Sequence, residues 1–227
     1  MIIAFSGAKF AGKDTAAEAL IRSHGFKRIG LADKLKDICG QVFDIPREDM
    51  DNPSKKESQF KKELLLTEEH ITTLLQRTHS DGFDFNYEKT HEQVCKNFLG
   101  KNLTSIRDVL QTVGTDICRT HIKDDIWLAY VHDTIKNFNG DVVITDARFR
   151  NERDFLQELG ATLILVKRPG FEGKDTHISE NQLGDENDYD VVVTNSASIS
   201  GLQSDIRMWF SIMKDEIQNK NKSNRKR

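Results

Sequence analysis

The stretch GAKFAGKDT at residues 7–15 carries two glycines, two lysines and two oxygen-bearing side chains at a spacing suited to binding phosphate. Gly7 and Gly12 have four residues between them, and Lys13 follows at once. Glycines allow backbone N–H groups to turn toward phosphate oxygens, and the lysine adds a mobile positive charge. An apolar run precedes the stretch and a helical pattern follows it, which is the context that a phosphate-binding loop requires. We therefore expect a nucleotide phosphate site here, with Thr15 keeping a hydroxyl within reach of a phosphate.

Asp14 stands where such loops usually carry Ser or Thr to hold magnesium. Its carboxylate could ligate Mg²⁺ directly or through water, since oxygen ligands suit this ion. Alternatively it points outward as an acid in the first turn of the helix, where the helix dipole favours it. Both alternatives are open at this point, and Asp14 is the expected metal ligand.

Three further residues follow apolar runs and could act on a transferred phosphoryl group. Asp146 ends the run VVITD and could orient a magnesium-bound water or contact an acceptor, or it could simply cap the next helix. Arg148 follows it and could stabilise the charge of the transferred group. Arg168 belongs to a polar, glycine-bearing segment, 167–185, that we expect to form a lid excluding water. The expected catalytic set is therefore Lys13, Asp146, Arg148 and Arg168.

The elements that must position these residues alternate between short apolar runs and helical patterns. Strands are predicted at residues 2–6, 26–32, 140–146, 161–170 and 190–195. This order predicts an α/β fold, a P-loop NTPase-type parallel sheet of about five strands flanked by helices, with a helical insertion and a lid. Ligands of such sheets bind beyond the carboxyl ends of the strands, so residues 7–15, Asp146, Arg168 and Asn195 should lie near one rim.

The middle of the chain differs in character from both ends. Residues 46–102 are rich in Lys, Glu, Thr, Asn and His and show no clear strand periodicity, so we interpret them as a helical insertion. Residues 1–45 and 103–218 are the predicted core, with 105–122 and 124–138 as two amphipathic helices. The tail at 219–227 holds five positive charges and no negative ones. It is interpreted as a disordered, solubilising end, with weak contact to nucleic acid or a partner as the alternative.

Composition limits the classes of function. A net charge of −3 argues against wholesale nucleic-acid binding, and no apolar run approaches the roughly 20 residues that cross a bilayer. Three cysteines form no CxxC pair, which favours a reducing, cytoplasmic setting.

Motifs spread across most of the chain resemble the bacteriophage-type deoxynucleoside monophosphate kinases of the P-loop nucleoside monophosphate kinase group. The motifs are SGAKFAGKDT, LADKLK, SIRDVLQTVGTD, the IW pair at 126–127, TDARFRNE, RPG…DTHISE and DVVVTNSASISGL. An aspartate after the loop lysine is shared with this family. Arg150 stands where many relatives have proline, which leaves the local loop shape open, and residues 46–102 match least.

The resemblance implies transfer of the ATP γ-phosphoryl group to a deoxynucleoside monophosphate (dNMP), with Mg²⁺, in the cytoplasm of a host cell if the source is viral. It implies that Asn195 borders the adenine and that the enzyme forms homodimers. The substrate-binding residues that it implies are Lys36, Arg107, Gly114, Thr115, Arg119, Trp127, Asp146, Arg148 and Glu180.

Two other functions fit the same residues. A small-molecule kinase such as a dephospho-coenzyme A kinase would prefer a hydroxyl acceptor and need a base, for which Asp146 is the candidate. A non-catalytic nucleotide-binding module of a replication assembly would bind ATP without turnover. The accepted bases, the oligomeric state and the motion of residues 46–102 do not follow from the sequence.

Overall fold

A computed structural model describes residues 1–170, 184–196 and 198–224, with side chains to residue 216. The chain divides into two compact units. The first unit consists of Met1–Leu31 and Val131–Arg227, and the second of Ala32–Tyr130. Most of the segment expected to form a lid, 171–183, lies outside the described residues.

The described residues form seven strands and ten α-helices, besides one π-helix and one short 3₁₀-helix. The strands are β1 Ile2–Ser6, β2 Lys27–Arg28, β3 Gln59–Leu65, β4 Asn102–Ser105, β5 Val142–Ile144, β6 Thr162–Lys167 and β7 Val191–Thr194. The α-helices are α1 Lys13–His24, α2 Asp33–Phe43, α3 Arg47–Asp51, α4 Pro53–Glu57, α5 Glu68–Ser80, α6 Tyr87–Phe98, α7 Ile106–Gln111, α8 Ile126–Lys136, α9 Arg150–Glu158 and α10 Ile199–Asn224. The π-helix is Thr112–Ile122 and the 3₁₀-helix Glu186–Asp188.

The first unit is built on a parallel sheet with the strand order β2-β5-β1-β6-β7. β1 lies at its centre, with Ile3 paired to Val143 on one side and Ala4 paired to Leu163 on the other. β5 and β6 are apolar along almost their whole length because helices cover both faces of such a sheet. The prediction of an α/β fold with about five parallel strands is confirmed.

Helices α1 and α10 complete the core of this unit. Leu20 of α1 and Phe210 of α10 are fully buried and belong to one apolar cluster with Ile3 and Phe5 of β1. α1 ends at Gly25, which adopts a left-handed conformation (φ 72°) and donates its N–H to the carbonyl of Ile21 at 3.1 Å. A glycine suits this position because it has no Cβ to clash.

The second unit is mainly helical, and residues 46–102 contain one strand that the sequence did not predict. Residues Gln59–Leu65, expected to be helical, form β3 and pair antiparallel with β4, with Leu64 opposite Leu103. A register shift between Gln59 and Leu64 interrupts the pairing. This irregularity breaks the two-residue alternation that would have revealed the strand in the sequence.

A further difference concerns the stretch predicted as one amphipathic helix at 105–122. The chain changes from α7 to a π-helix at Thr112, and the N–H of Lys123 donates to the carbonyl of Cys118, five residues back, at 3.0 Å. The apolar spacing of α- and π-turns is too similar to separate them from the sequence. π-helical turns occur frequently at functional sites.

The second unit is also wider than the predicted insertion. α2, α7 and the π-helix contribute Ile38, Val109 and Ile117 to the same buried cluster as Leu74 of α5. The compact unit therefore begins and ends outside 46–102, because its core needs helices from the flanking sequence. The functional boundaries at 1–45, 46–102, 103–218 and 219–227 stay a prediction.

Candidate active site

The phosphate-loop candidate connects β1 to α1 and has an unusual backbone. Gly7 and Gly12 have φ values of 142° and 105°, and Phe10 lies at 64°. A Cβ on Gly7 would lie 2.3 Å from the carbonyl oxygen of Val166 in β6. Real Cβ atoms do not approach a backbone atom so closely, so only glycine fits between the loop and the neighbouring strand.

Lys13 is folded back into this loop. Its side chain is buried, and Nζ donates to the carbonyl oxygens of Gly7 at 2.7 Å and Ala8 at 2.8 Å. The ammonium group therefore lies within the turn that the glycines make possible, at the N-terminus of α1. A positive charge and a helix N-terminus together favour an anion at this place.

Asp14 and Thr15 differ in their exposure. Asp14 is exposed in the first turn of α1, whereas Thr15 is half-buried. An exposed first-turn carboxylate fits the helix-dipole alternative and also leaves its oxygens accessible to a cation. The described residues contain no group of three or more His, Cys, Asp or Glu side chains that could hold a metal ion. Any Mg²⁺ here would need ligands from phosphate and water, as this ion commonly has.

Residues after β6 and β7 contact the loop directly. Asn195 donates Nδ2–H to the carbonyl of Ala11 at 2.9 Å, and a Cβ on Gly12 would lie 2.7 Å from that Nδ2. Arg168, which is exposed, donates Nη1–H to the carbonyl of Phe10 at 3.3 Å. The structure thus brings residues distant in sequence to one rim, as the strand order requires. Asn195 thus stabilises the loop through its side-chain hydrogen bond, and its role beside the adenine stays a prediction.

The segment after β5 carries Asp146 and Arg148, and both are half-buried. The Asp146 carboxylate accepts the N–H of Leu31 through Oδ1 at 2.8 Å. Arg150 is exposed and begins α9, with its Nε 3.8 Å from a carboxylate oxygen of Asp154. Arg150 stands where many members of the resembled family have proline. It is the first residue of α9, a position at which proline is also common.

Arg153 of α9 has a structural role. It is buried, its Nη2 lies 3.7 Å from Oδ2 of Asp188, and its guanidinium lies 5.5 Å from the centre of the Tyr189 ring. These contacts connect α9 to the segment before β7. Its pairing partner is far away along the chain and could not be identified from local sequence.

Three residues that sequence reasoning missed link the rim together. Ser6, at the end of β1, accepts the hydroxyl hydrogen of Tyr189 at 3.0 Å and donates its own to the carbonyl of Ala147 at 2.8 Å. Burial raises the pKa of Tyr189, and hydrogen bonding to Ser6 only partly opposes it. Glu152 of α9 accepts two backbone N–H groups of the Asp146 segment. A polar residue ending a buried strand is the only sequence signal for Ser6.

The second unit holds most of the implied substrate-binding residues. Lys36 is buried on α2, and its Nζ lies 2.8 Å from Oδ1 of Asp51, whose other oxygen accepts Nε–H of Arg47 at 2.9 Å. Burial works to raise the pKa of Asp51, but the hydrogen bonds and charges of Lys36 and Arg47 outweigh it and lower that pKa. Lys36 is therefore a buried cation whose charge is compensated by a half-exposed carboxylate.

The two implied arginines are paired in a similar way. Arg107 of α7 donates Nε–H to Oε1 of Glu57 at 2.6 Å. Arg119 of the π-helix lies with Nη2 3.1 Å from Oδ1 of Asp124, and its side chain is 9% exposed against 74% for Asp124. In each pair the carboxylate is more exposed than the cation. An anion of suitable shape could therefore replace the carboxylate or share the arginine with it.

Gly114 and Trp127 fix the π-helix within the second unit. The buried Trp127 donates its indole N–H to the carbonyl of Gly114 at 3.0 Å, and a Cβ on Gly114 would lie 2.5 Å from Cδ2 of Leu35. Thr115 is half-buried, and its carbonyl accepts the hydroxyl of Thr120 at 3.1 Å. Gly114 and Trp127 thus have structural contacts, and their substrate contacts stay a prediction.

Glu180, the last implied substrate residue, lies outside the described residues, as does most of the expected lid. Within the part of the chain that the structure describes, no helix is long and apolar enough to cross a membrane.

Known proteins resemble this chain along almost its whole length. The family model described as deoxynucleotide monophosphate kinase matches residues 61–206. A protein of Acanthamoeba polyphaga mimivirus, provisionally named a deoxynucleotide monophosphate kinase, is 32% identical over 91% of this chain and 94% of its own. The deoxynucleotide monophosphate kinase of Enterobacteria phage T4 is 26% identical over 93% of this chain and 99% of its own. An unliganded sugar kinase structure from Janibacter sp. covers 93% of this chain and 94% of its own with a TM-score of 0.38 and 14% identity.

Proposed function

The chain belongs to the deoxynucleotide monophosphate kinase family, and we propose that it transfers the γ-phosphoryl group of ATP to a deoxynucleoside 5′-monophosphate. An oxygen of the acceptor phosphate attacks the γ-phosphorus, and the bond between that phosphorus and the β–γ bridging oxygen breaks. The products are a deoxynucleoside diphosphate and ADP. The acceptor is already an anionic nucleophile, so a strong base is not needed.

The observation that carries this proposal is the burial of Lys13 inside the glycine-shaped loop. Its ammonium group lies against the carbonyls of Gly7 and Ala8 at the start of α1. In this position Lys13 is ready to exchange carbonyl partners for the β- and γ-phosphate oxygens of ATP. Phosphoryl transfer depends mainly on such positioning and on neutralising charge.

The other residues of the rim have roles that follow from their places. Arg168 contacts the loop at Phe10, and its guanidinium is proposed to neutralise charge on the outer phosphate. Arg148 is proposed to stabilise the transferring group. Asp146 is anchored by the N–H of Leu31 through one oxygen, and it is proposed to orient a magnesium-bound water or contact the acceptor.

Asp14 and Thr15 are the residues proposed to hold Mg²⁺ together with the ATP phosphates. Asp14 offers an exposed carboxylate and Thr15 a hydroxyl at the N-terminus of α1. When bound, the ion would neutralise phosphate charge and orient the γ-phosphoryl group. A carboxylate in a phosphate loop would otherwise repel the nucleotide, which supports a cation between them.

The second unit supplies the residues proposed to bind the acceptor. Three cations of this unit, Lys36, Arg107 and Arg119, each pair with a more exposed carboxylate. A monophosphate dianion competes well for such groups because arginine and phosphate match in geometry. Gly114, Thr115 and Trp127 are proposed to shape the wall of the pocket.

The proposal also covers the location of the protein in the cell, its oligomeric state and its basic tail. The viral relatives support a role in the cytoplasm of an infected cell. We propose a homodimer, to be checked by sedimentation, and at most weak contact of the basic tail at 219–227 with nucleic acid.

The test is ADP formation from ATP and Mg²⁺ with each of the four dNMPs and with dephospho-coenzyme A. The proposal predicts turnover with at least one dNMP and none with dephospho-coenzyme A. Lys13→Met should reduce turnover at least about 100-fold, since a preorganised charge at the reacting phosphates is lost, while Lys62→Met, an exposed lysine of β3, should not. Turnover with dephospho-coenzyme A alone, or ATP binding without any turnover, would contradict the proposal.

A further inference from the structure

The segment between β5 and α9 carries Asp146 and Arg148 but has no helix or strand of its own. A loop with catalytic side chains needs to be held by other contacts, because a shift of about 1 Å at a reacting group can cost about 100-fold in rate. The described hydrogen bonds of this segment show how it is held.

One peptide group of the segment is fixed at both of its ends. The carbonyl oxygen of Ala147 accepts the hydroxyl of Ser6 at 2.8 Å. The N–H of Arg148, which belongs to the same peptide group, donates to Oε2 of Glu152 at 2.7 Å. Because a peptide group is planar, fixing its oxygen and its hydrogen fixes the orientation of the whole plane.

That peptide plane sets the direction in which the Arg148 side chain leaves the backbone. Glu152 strengthens the restraint by also accepting the N–H of Phe149 at 2.9 Å, so the planes before and after Arg148 share one acceptor. The Glu152 side chain is buried, at 6% exposure. An acidic side chain at the third position of a helix normally caps only the helix start, whereas here it also holds the residue before the cap.

The other anchor connects directly to the phosphate loop. Ser6 is 2% exposed and immediately precedes Gly7. Its oxygen accepts the buried hydroxyl of Tyr189, which leaves the Ser6 hydrogen directed to the carbonyl of Ala147. One serine therefore relates the backbone that starts the phosphate loop to the backbone that carries Arg148.

We propose that Ser6 and Glu152 are positioning residues that hold the Ala147–Arg148 peptide plane and so fix Arg148 relative to the phosphate loop, with Tyr189 orienting the Ser6 hydroxyl. The proposal rests on the proposed kinase function, in which Arg148 stabilises the transferring group. Neither residue touches the nucleotide in this account. They act on kcat through Arg148, and not on the binding of ATP.

The experiment measures kcat and KM for Ser6→Ala, Tyr189→Phe, Glu152→Met and Glu152→Gln, each also combined with Arg148→Met. Ser6→Ala should lower kcat about 10-fold and Glu152→Met about 100-fold, with KM for ATP within about 2-fold of the unmodified protein. Glu152→Gln should recover most of that loss, because an amide oxygen still accepts both N–H groups. Tyr189→Phe should give the smallest loss, since Ser6 can still donate.

The decisive readout is the combination with Arg148→Met. If the anchors act through Arg148, Ser6→Ala and Glu152→Met should lower kcat by less than about 2-fold in that background. A control is Thr78→Val in α5, which removes another fully buried hydroxyl that donates to a carbonyl, that of Leu74 at 2.9 Å, and should leave kcat unchanged.

Two different results would distinguish failure of the positioning role from failure of the kinase function. Full-size losses that persist in the Arg148→Met background, in variants whose thermal unfolding matches that of Thr78→Val, would overturn the positioning role while leaving the kinase function intact. Absence of phosphoryl transfer by the unmodified protein would overturn the kinase function and the positioning role with it. If Glu152→Met does not fold, Ser6→Ala carries the same test, since its expected loss of about 10-fold is large enough to measure and the substitution changes the volume of the core little.

Discussion

At Gly7 the structure leaves no room for a side chain. Substitution by alanine would place a Cβ 2.3 Å from the carbonyl oxygen of Val166, a backbone atom of β6 that cannot rotate away. The residue also has a φ of 142°, which side chains rarely adopt. Backbone strain of about 1–3 kcal/mol adds to an overpacking cost of about 1–3 kcal/mol. Gly7→Ala should therefore destabilise the protein by about 2–6 kcal/mol.

Two other glycines separate these contributions. Gly25 has a φ of 72°, and a Cβ added there would meet no neighbouring atom within 4 Å, so Gly25→Ala should show the strain alone, about 1–2 kcal/mol. Gly12→Ala should fall between them, because the close neighbour of its Cβ is the side-chain amide of Asn195 at 2.7 Å. That amide can move, but only by giving up its hydrogen bond to Ala11.

The assay combines urea unfolding of the three variants with calorimetric titration by ATP and Mg²⁺. Gly7→Ala should be the least stable, and both loop variants should bind ATP at least about 10-fold more weakly than Gly25→Ala, because the loop can no longer close around phosphate. Equal stability of Gly7→Ala and Gly25→Ala would refute the close packing of the loop on β6. Unchanged ATP affinity in both loop variants would refute the assignment of this loop to phosphate.

Three further predictions follow from buried and titratable groups. The lowered pKa of Asp51 means that its charge stabilises the fold above its unfolded-state pKa of about 3.9 and that this contribution is lost as pH falls toward the folded-state value. Asp51→Asn should therefore cost about 1 kcal/mol at pH 7 and progressively less below pH ~4 in urea unfolding, and a pH-independent difference would contradict it. Thr145 buries a hydroxyl that has no hydrogen-bond partner within the described residues, so Thr145→Val should leave the melting temperature unchanged or raise it, and a clear fall would show an unseen partner. Burial raises the pKa of Cys118 to about 12 and that of Cys39 well above its usual value, so a thiol reagent at pH 8 should modify half-buried Cys95 first, and rapid modification of all three would contradict the packing.

The glycine-dependent turn at residues 7–15 could be predicted from the sequence because the residues that determine it are adjacent, and its binding of phosphate stays a prediction. Glycines, lysine and the following helix pattern lie within residues 7–15, and their geometry depends on backbone rules that apply in any fold. The existence of the sheet likewise follows from apolar runs buried on both faces. The rim of residues after the strands could then be deduced, and the contacts of Arg168 and Asn195 with the loop agree with it.

The parts that sequence reasoning missed depend on contacts between distant residues. Ser6 and Tyr189 are 183 residues apart, and nothing near either one indicates their hydrogen bond. β3 was missed because its pairing with β4 is irregular, so the alternation of side chains is broken. The pairing of Lys36 with Asp51 on α3 depends on how two helices pack, so it could not be predicted either, and the role of Lys36 as a substrate ligand stays a prediction.

The central claim is that the loop around Lys13 binds ATP for transfer of its γ-phosphoryl group to a dNMP. The most direct measurement incubates the full-length protein with ATP labelled on the γ-phosphorus and each dNMP, and follows the label by chromatography. The account predicts that label appears in a deoxynucleoside diphosphate in the presence of Mg²⁺ and that Lys13→Met abolishes this transfer while retaining its fold. Label that stays in ATP, or that is released only as inorganic phosphate with every dNMP, would contradict it.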